Sequence, residues 1–140
     1  MVTAGKGKSV MAVIKGIAEI VLNCHDQAAS RKFYEEIFGL KFLGQPAQPG
    51  PVFLEAGPGQ TGIPQMIVLV PLPPGSPEFS APRTLHHLAF EVAPEDLDRL
   101  ESELRGHGFE VRGGQHPVIA SRTMYVDDPD GNEVELICRA

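Results

Sequence analysis

Two glutamates near the end of the chain, Glu133 and Glu135, are the side chains whose type and spacing most suggest chemistry. They follow Asp-Pro-Asp-Gly-Asn, a composition typical of a tight turn, and they open a run that predicts a β-strand over residues 133–138. Successive strand residues point to opposite faces, so both glutamates share one face. If that face is exposed on the protein surface, the carboxylates are simply solvated. If it lines a pocket, they can bind a cation or carry a proton.

Two other alternating runs carry further candidate side chains. Residues 17–23 predict a strand with Glu19 on one face, and residues 85–92 predict a strand with His87 on one face and His86 on the other. We expect His86 to pack under a helix. Taken singly, each of these side chains has an ordinary structural explanation, as a solvated strand carboxylate or a hydrogen-bonded core histidine.

The predicted elements occur twice in the same order of strand, helix and three strands. The first helix runs from an N-cap at Asp26 to about residue 38, with Gly39 after it, and the second begins at Pro94 and ends near Gly106 or Gly108. The three strands of the first half are expected at 40–44, 52–56 and 65–70. Those of the second half are expected at 109–112, at 118–121 continuing through 124–126, and at 133–138.

The register of this repeat relates the candidate residues to one another. Glu19 and His87 are 68 positions apart, and the same shift carries Glu135 back to Ile67. Such a repeat indicates a duplicated module. We therefore predict one compact domain with a flexible lead at 1–15, a first module at 16–71, a proline-rich connector at 72–83 and a second module at 84–140.

Composition excludes several classes of function. The chain of 140 residues has a net charge of −6 and no basic stripe, which argues against a nucleic-acid partner. No run approaches the roughly 20 apolar residues that cross a bilayer, so we expect no membrane association and a cytoplasmic protein. The two cysteines, Cys24 and Cys138, do not form a disulfide framework and are expected to be small buried residues.

With these features in place, the sequence resembles the vicinal oxygen chelate superfamily. That superfamily includes glyoxalase I, extradiol dioxygenases, methylmalonyl-CoA epimerase, and fosfomycin- and bleomycin-resistance proteins. Three segments carry the resemblance: residues 19–40, which end in FYEEIFGL, LHHLAFEV at 85–92 and DPDGNEVEL at 128–136. It covers about residues 17–137. It implies an α+β fold in which two βαβββ modules form a cupped, mixed sheet, commonly in a homodimer.

The resemblance also implies a site for a divalent metal ion. Its ligand positions fall on Glu19, where the family usually has His or Gln, on His87 and on Glu135. The fourth ligand of the glyoxalase and epimerase members falls on Ile67, which cannot bind a metal. Two carboxylates and one imidazole suit iron, manganese, nickel or zinc, and do not dictate which.

Two kinds of chemistry remain open for such a metal site. A function that needs no metal is a third possibility. A lyase or isomerase would move a proton on Glu135 or Glu19, whereas a dioxygenase would cleave a ring with oxygen. The chain lacks the fourth ligand of the lyases and one histidine of the dioxygenases. The alternative is a metal-free protein that binds a drug or metabolite, as bleomycin-resistance proteins do.

Three residues are candidates for binding the small-molecule substrate. Tyr125 resembles the aromatic residue that contacts substrate in the dioxygenases, although a packed strand aromatic is an equal explanation. Asn23 shares the face of Glu19 and could donate a hydrogen bond. Arg122 could pair with an anionic substrate, although exposed loop arginines are common.

Overall fold

The computed structural model of the protein describes residues 13–44 and 49–140. Most of the flexible lead predicted over residues 1–15 lies outside the described residues. Within these two ranges the chain forms two four-stranded sheets. The first contains β1 (Glu19–Cys24), β2 (Lys41–Leu43), β3 (Val52–Gly57) and β4 (Gln65–Pro71). The second contains β5 (Leu88–Glu91), β6 (Val111–Gly114), β7 (Ser121–Asp127) and β8 (Glu133–Arg139).

The two sheets have the same topology, which confirms the predicted α+β fold. Their strand orders are β1-β4-β3-β2 and β5-β8-β7-β6. The first strand of each sheet runs parallel to its last strand, and the other pairs are antiparallel. A parallel pair requires a crossover connection, which the helix and the two intervening strands supply in each half. The last strand of each half therefore lies beside the first.

The helices begin where the sequence predicts, but the first one changes type along its length. The Asp26 side chain accepts a hydrogen bond from the Ala29 amide at 3.1 Å and begins α1 (Gln27–Arg31). The chain then widens into a π-helix, Lys32–Ile37, in which the Phe38 amide donates to the Phe33 carbonyl. The second helix, α2 (Pro94–Gly106), has the predicted bounds. In the described ranges, no helix is long and apolar enough to cross a membrane.

Both sheets and both helical segments contribute to one hydrophobic core. Alternate strand residues point into it, while the residues between them face away from the helices. The Phe33 ring joins the two halves, since its centroid lies 5.1 Å from that of Phe109. The largest fully buried side chains include Phe33, Tyr34, Leu54, Leu69, Leu104 and Leu136. The outer face of each sheet therefore remains available for other contacts.

Ile67 is not the structural counterpart of Glu135, which corrects the register taken from the sequence. Ile67 belongs to the buried core, as do Val134 and Leu136. Glu135 lies between those two residues on β8 and therefore points to the opposite face. The residue of β4 with the same orientation is Val68. A shift of one position exchanges the two faces of a strand, and a valine side chain likewise offers no metal ligand.

The Asp-Pro-Asp-Gly-Asn turn before β8 joins the second half of the chain to the first. The buried carboxylate of Asp128 accepts hydrogen bonds from the amides of Asp130 and Asn132, each at 2.9 Å, and from the Asn132 side chain at 3.0 Å. Its Oδ2 also accepts from the Tyr34 hydroxyl at 2.6 Å. The Asp130 carboxylate accepts from the His25 amide. This turn thus fixes where β8 begins relative to the first helix.

Cys24 makes the stability of the fold depend on pH in the alkaline range. Burial raises the pKa of its thiol from 9.0 to about 11. A pKa that is higher in the folded state stabilises the protein below the unfolded value, and this contribution is lost as pH rises through the folded value. We expect the free energy of unfolding to fall from pH 9 to 11 and Cys24→Ala to flatten that fall. Urea unfolding of both proteins from pH 9 to 11 measures this difference. An equal fall of the unfolding free energy with pH in both proteins would refute the role given to Cys24.

Candidate active site

Glu135 is a buried carboxylate on the outer face of the second sheet. It is 3% exposed, although it points away from the helix-packed core. Its Oε1 lies 3.3 Å from Nε2 of His87. Its Oε2 is buried and has no hydrogen-bond partner among the described residues. A buried carboxylate oxygen without a partner is costly, so this oxygen is suited to a ligand that would pair with it, such as a cation.

His87 gives this buried carboxylate a connection to solvent. It lies directly before β5, whose residues Leu88 and Ala89 pair with Val134 and Glu135 of the parallel strand β8. This pairing brings His87 to the side of Glu135. The His87 side chain is 35% exposed and that of Glu135 only 4%. A nitrogen and an oxygen donor therefore converge at the surface, with the charged group shielded from bulk water.

Tyr125 and Thr123 of β7 complete the polar surroundings of Glu135. Tyr125 pairs directly with Glu135 across the strands, and its ring centroid lies 6.0 Å from that of His87. Burial and then the charge of Glu135 raise the pKa of the Tyr125 phenol above 10.0, so this hydroxyl, like that of an ordinary tyrosine, is protonated at neutral pH. The Thr123 hydroxyl on the same strand is also buried. Nothing in the sequence singled out Thr123, because its position depends on the strand register.

Gly114 on β6 sets the position of the Tyr125 ring. The ring lies against the glycine backbone, where an added Cβ would overlap it and would also lie 3.3 Å from the Thr123 hydroxyl. An aromatic ring held in a strand cannot bend away as a flexible side chain can. The absence of a side chain at Gly114 therefore allows Tyr125 to lie beside Glu135.

Gly114→Ala is expected to displace the Tyr125 ring and to destabilise the protein by about 1–3 kcal/mol, because overpacking forces neighbouring groups to shift. Thermal unfolding and the NMR shifts of the Tyr125 ring measure the two effects. Gly113→Ala is the matched control, since a Cβ there meets nothing within 4 Å. Equal stability of the two variants would refute the role given to Gly114.

Glu19 and Asn23 lie on the first sheet and not with His87 and Glu135. Both are exposed on the outer face of β1, where Glu19 pairs with Met66 and Asn23 with Val70. The structure records no contact between Glu19 and the His87–Glu135 pair among the described residues. Asn23 lines a groove of about 490 Å³ with residues of the connector, including Phe79 and Arg83.

The structure does not place Arg122 beside His87 and Glu135. It is the neighbour of Thr123 on β7 and so points to the opposite face, toward α2. There its Nη2 lies 2.7 Å from Oδ1 of Asp98 on that helix. This ion pair and the predicted pairing with an anionic substrate would compete for the same guanidinium.

His86 does not pack under a helix as predicted, which is a second correction. The strand begins at Leu88, so the alternation of faces does not extend back to His86. His86 is exposed, and its Nδ1 lies 2.8 Å from Nδ1 of His87. In the described chain, His86, His87 and Glu133 form a group whose potential metal-ligand atoms lie within 4.8 Å of one another.

Comparison with known proteins identifies the class of protein that this fold and site define. Residues 16–136 match the model of the Glyoxalase/Bleomycin resistance protein/Dioxygenase superfamily. The chain belongs to this superfamily, which confirms the resemblance predicted from its three sequence segments. No curated protein sequence matches the chain at a significant level.

Solved structures share the fold along nearly the whole chain. A glyoxalase/dioxygenase from Nostoc punctiforme is 27% identical, with a TM-score of 0.69 over 94% of this chain and 97% of its own. A lactoylglutathione lyase from Agrobacterium tumefaciens is 23% identical, with a TM-score of 0.61 over 91% and 96%. An antibiotic binding protein from Streptomyces sp. CB03234 is 22% identical, with a TM-score of 0.61 over 93% and 100%. At these identities the last two show the fold alone.

Proposed function

We propose that this protein is an enzyme that binds a divalent metal ion between His87 and Glu135, with Glu19 of the partner subunit as a third ligand in a homodimer. Its substrate is a small metabolite with two adjacent oxygens. The observation that carries the proposal is the buried Oε2 of Glu135, which has no partner in the described chain although Oε1 faces His87. A carboxylate in this position is costly unless something binds it.

The outer face of the first sheet supports a shared site. It exposes apolar side chains next to Glu19, with Val21 51% and Phe53 39% accessible. Uncovered apolar side chains on a sheet face are typical of an interface. A second copy that lays this face over the outer face of the second sheet would bring Glu19 to His87 and Glu135. By two-fold symmetry such an arrangement forms two equivalent sites.

The side chains of the site suit proton transfer next to a polarised carbonyl or hydroxyl group. A bound divalent cation would supply Lewis-acid stabilisation of negative charge on the substrate oxygens. Glu135 and Glu19 are the groups that could carry a proton, and the low accessibility of Glu135 strengthens its electrostatic interaction with the substrate. The protonated hydroxyl of Tyr125 can donate a hydrogen bond to a substrate oxygen. These roles fit a lyase or isomerase, or the ring cleavage of a dioxygenase.

Mixing two variants that each lack one metal ligand tests the shared site. Glu19→Ala and Glu135→Gln homodimers should each bind Mn²⁺ weakly, and Mn²⁺ is chosen because it prefers oxygen ligands. In mixed dimers one site combines both substitutions and the other has neither, so exchange of subunits should restore about one quarter of the sites. The EPR signal of free Mn²⁺ measures how much Mn²⁺ remains unbound, and the bound remainder gives the number of restored sites. No restoration after confirmed subunit exchange would contradict a site shared between chains.

A metal-free binding protein is the second candidate, and one observation favours it. The groove of about 490 Å³ beside β1 is lined by Asn23, Phe79, Arg83 and Leu85, and not by His87 or Glu135. A groove that combines apolar and polar side chains suits an organic ligand. Elemental analysis of protein purified without chelator separates the two candidates. Protein without metal that takes up none on supplementation would favour the binding protein, and metal lost on Glu135→Ala would favour the enzyme.

A further inference from the structure

We infer that a second site for a transition-metal cation is formed within one chain by His86, His87 and Glu133. It requires neither Glu19 nor a partner subunit. The potential ligand atoms of these three residues lie within 4.8 Å of one another. Two imidazoles and one carboxylate with open positions suit Zn²⁺, Ni²⁺, Co²⁺ or Fe²⁺.

The local fold explains why these three side chains meet. Leu88 and Val134 are paired in the parallel strands β5 and β8, so the residues just before them, His87 and Glu133, are neighbours. His86 precedes the strand and is not bound by its alternation, which leaves its ring free to turn toward His87. The two Nδ1 atoms are 2.8 Å apart. Two nitrogens on a tetrahedral Zn²⁺, each about 2.0–2.1 Å from it, would be about 3.4 Å apart, so the rings need only a small separation.

Glu135 has a different part in this second site. His87 presents Nδ1 to His86 and Nε2 to Oε1 of Glu135. A metal-bound histidine commonly donates its other ring N–H to a carboxylate, which fixes the orientation of the ring. Glu135 would therefore orient His87 without touching the metal. In the proposed shared site, by contrast, Nε2 and Glu135 face the metal directly.

The two sites exclude each other because both use His87. A neutral imidazole that binds a metal through Nδ1 carries its proton on Nε2, and the reverse holds for the other site. We therefore expect one metal per chain. The site with two imidazoles is better suited to Zn²⁺, and the second carboxylate makes the shared site the better suited of the two to Mn²⁺.

Glu133 is available for this role in spite of its ion pair. Its Oε2 accepts a hydrogen bond from Arg112 Nη2 at 3.0 Å, and the same nitrogen donates to Asp127 at 2.9 Å. Arg112 keeps one carboxylate partner if Glu133 turns to a metal. The Glu133 side chain is 32% exposed, so a cation can reach it from solvent.

Zn²⁺ binding to Glu19→Ala protein tests this site, because that variant lacks the third ligand of the shared site. We expect its Zn²⁺ affinity to equal that of the wild type. Adding His86→Ala or Glu133→Gln should lower the affinity at least about tenfold. Glu91→Gln, at an exposed position on β5, is the control that should change nothing. Circular dichroism verifies that the variants of the exposed His86 and the half-buried Glu133 remain folded.

Imidazole ¹⁵N NMR of the same Zn²⁺ complex identifies the ligand atoms. The inference requires the Nδ1 resonances of His86 and His87 to shift while Nε2 of His87 remains protonated. A shift at Nε2 of His87, or Zn²⁺ affinity unaffected by both added substitutions, would overturn it. The shared site is tested separately by the Mn²⁺ response to Glu19→Ala and Glu135→Gln, so either site can fail while the other stands.

Discussion

Glu135→Gln is expected to lower the affinity for Mn²⁺ by more than about 100-fold without destabilising the metal-free protein. The loss should exceed the roughly 10–100-fold cost of removing an outer-shell partner of a metal site, because the carboxylate itself would be a ligand. The metal-free protein should be no less stable, since the substitution removes a buried charge whose Oε2 has no partner in the described chain. Removal of an ordinary structural carboxylate would instead weaken the fold.

Thermal unfolding with and without Mn²⁺ measures both parts of this expectation. A ligand at about 100 times its dissociation constant stabilises the folded state by about 2.7 kcal/mol, so the wild type should gain this on adding metal and the variant should not. Glu91→Gln, at an exposed position on β5, should behave as the wild type. A metal-free Glu135→Gln protein that is strongly destabilised would assign Glu135 to the fold and remove it from the site.

Asp128→Ala is expected to be the most destabilising substitution considered, at about 3–5 kcal/mol. The Asp128 carboxylate is 5% exposed and accepts four hydrogen bonds, from the amides of Asp130 and Asn132, the Asn132 side chain and the Tyr34 hydroxyl. A hydrogen bond to a charged group contributes about 1.5–3 kcal/mol, and the orphaned donors would recover only part of this from water. The Tyr34 hydroxyl is fully buried and would recover least.

Two companion variants make this prediction specific. Tyr34→Phe removes one of the four donors and should cost about 1–3 kcal/mol, with an effect that largely disappears when Asp128 is already alanine. Asp98→Ala removes a carboxylate that is 77% exposed and paired with Arg122, so it should change stability by less than about 1 kcal/mol. Urea unfolding compares the three. Similar losses for Asp98→Ala and Asp128→Ala would contradict the role of the turn.

The fold was largely predictable because its signals are local and occur twice. The apolar periods, the Asp26 cap and Pro94 at the start of α2 give the order of elements without tertiary information. The contact between Tyr34 and Asp128 was not predictable, since it joins residues that are 94 positions apart. The resemblance marked DPDGNEVEL as a family segment, and the packing shows that its first half serves the fold.

The candidate site was predictable only in part, because it depends on the register and limits of strands. The pairing of His87 with Glu135 follows from the parallel strands implied by the family. Thr123 and Gly114 follow only from cross-strand register, and His86 was misplaced because the predicted strand began three residues too early. Because the repeat register shifts by one residue between the two halves, the sequence pairs Glu135 with Ile67. In the structure Val68 is the residue of β4 with the orientation of Glu135.

The central claim is that His87 and Glu135 hold a divalent metal that a partner subunit completes, and anomalous diffraction from crystals grown with Mn²⁺ tests it most directly. We predict an anomalous peak within direct coordination distance of Nε2 of His87 and a Glu135 oxygen, with Glu19 of the partner subunit also in contact. A Mn²⁺ peak elsewhere would contradict it. So would the absence of a peak from crystals grown with saturating Mn²⁺.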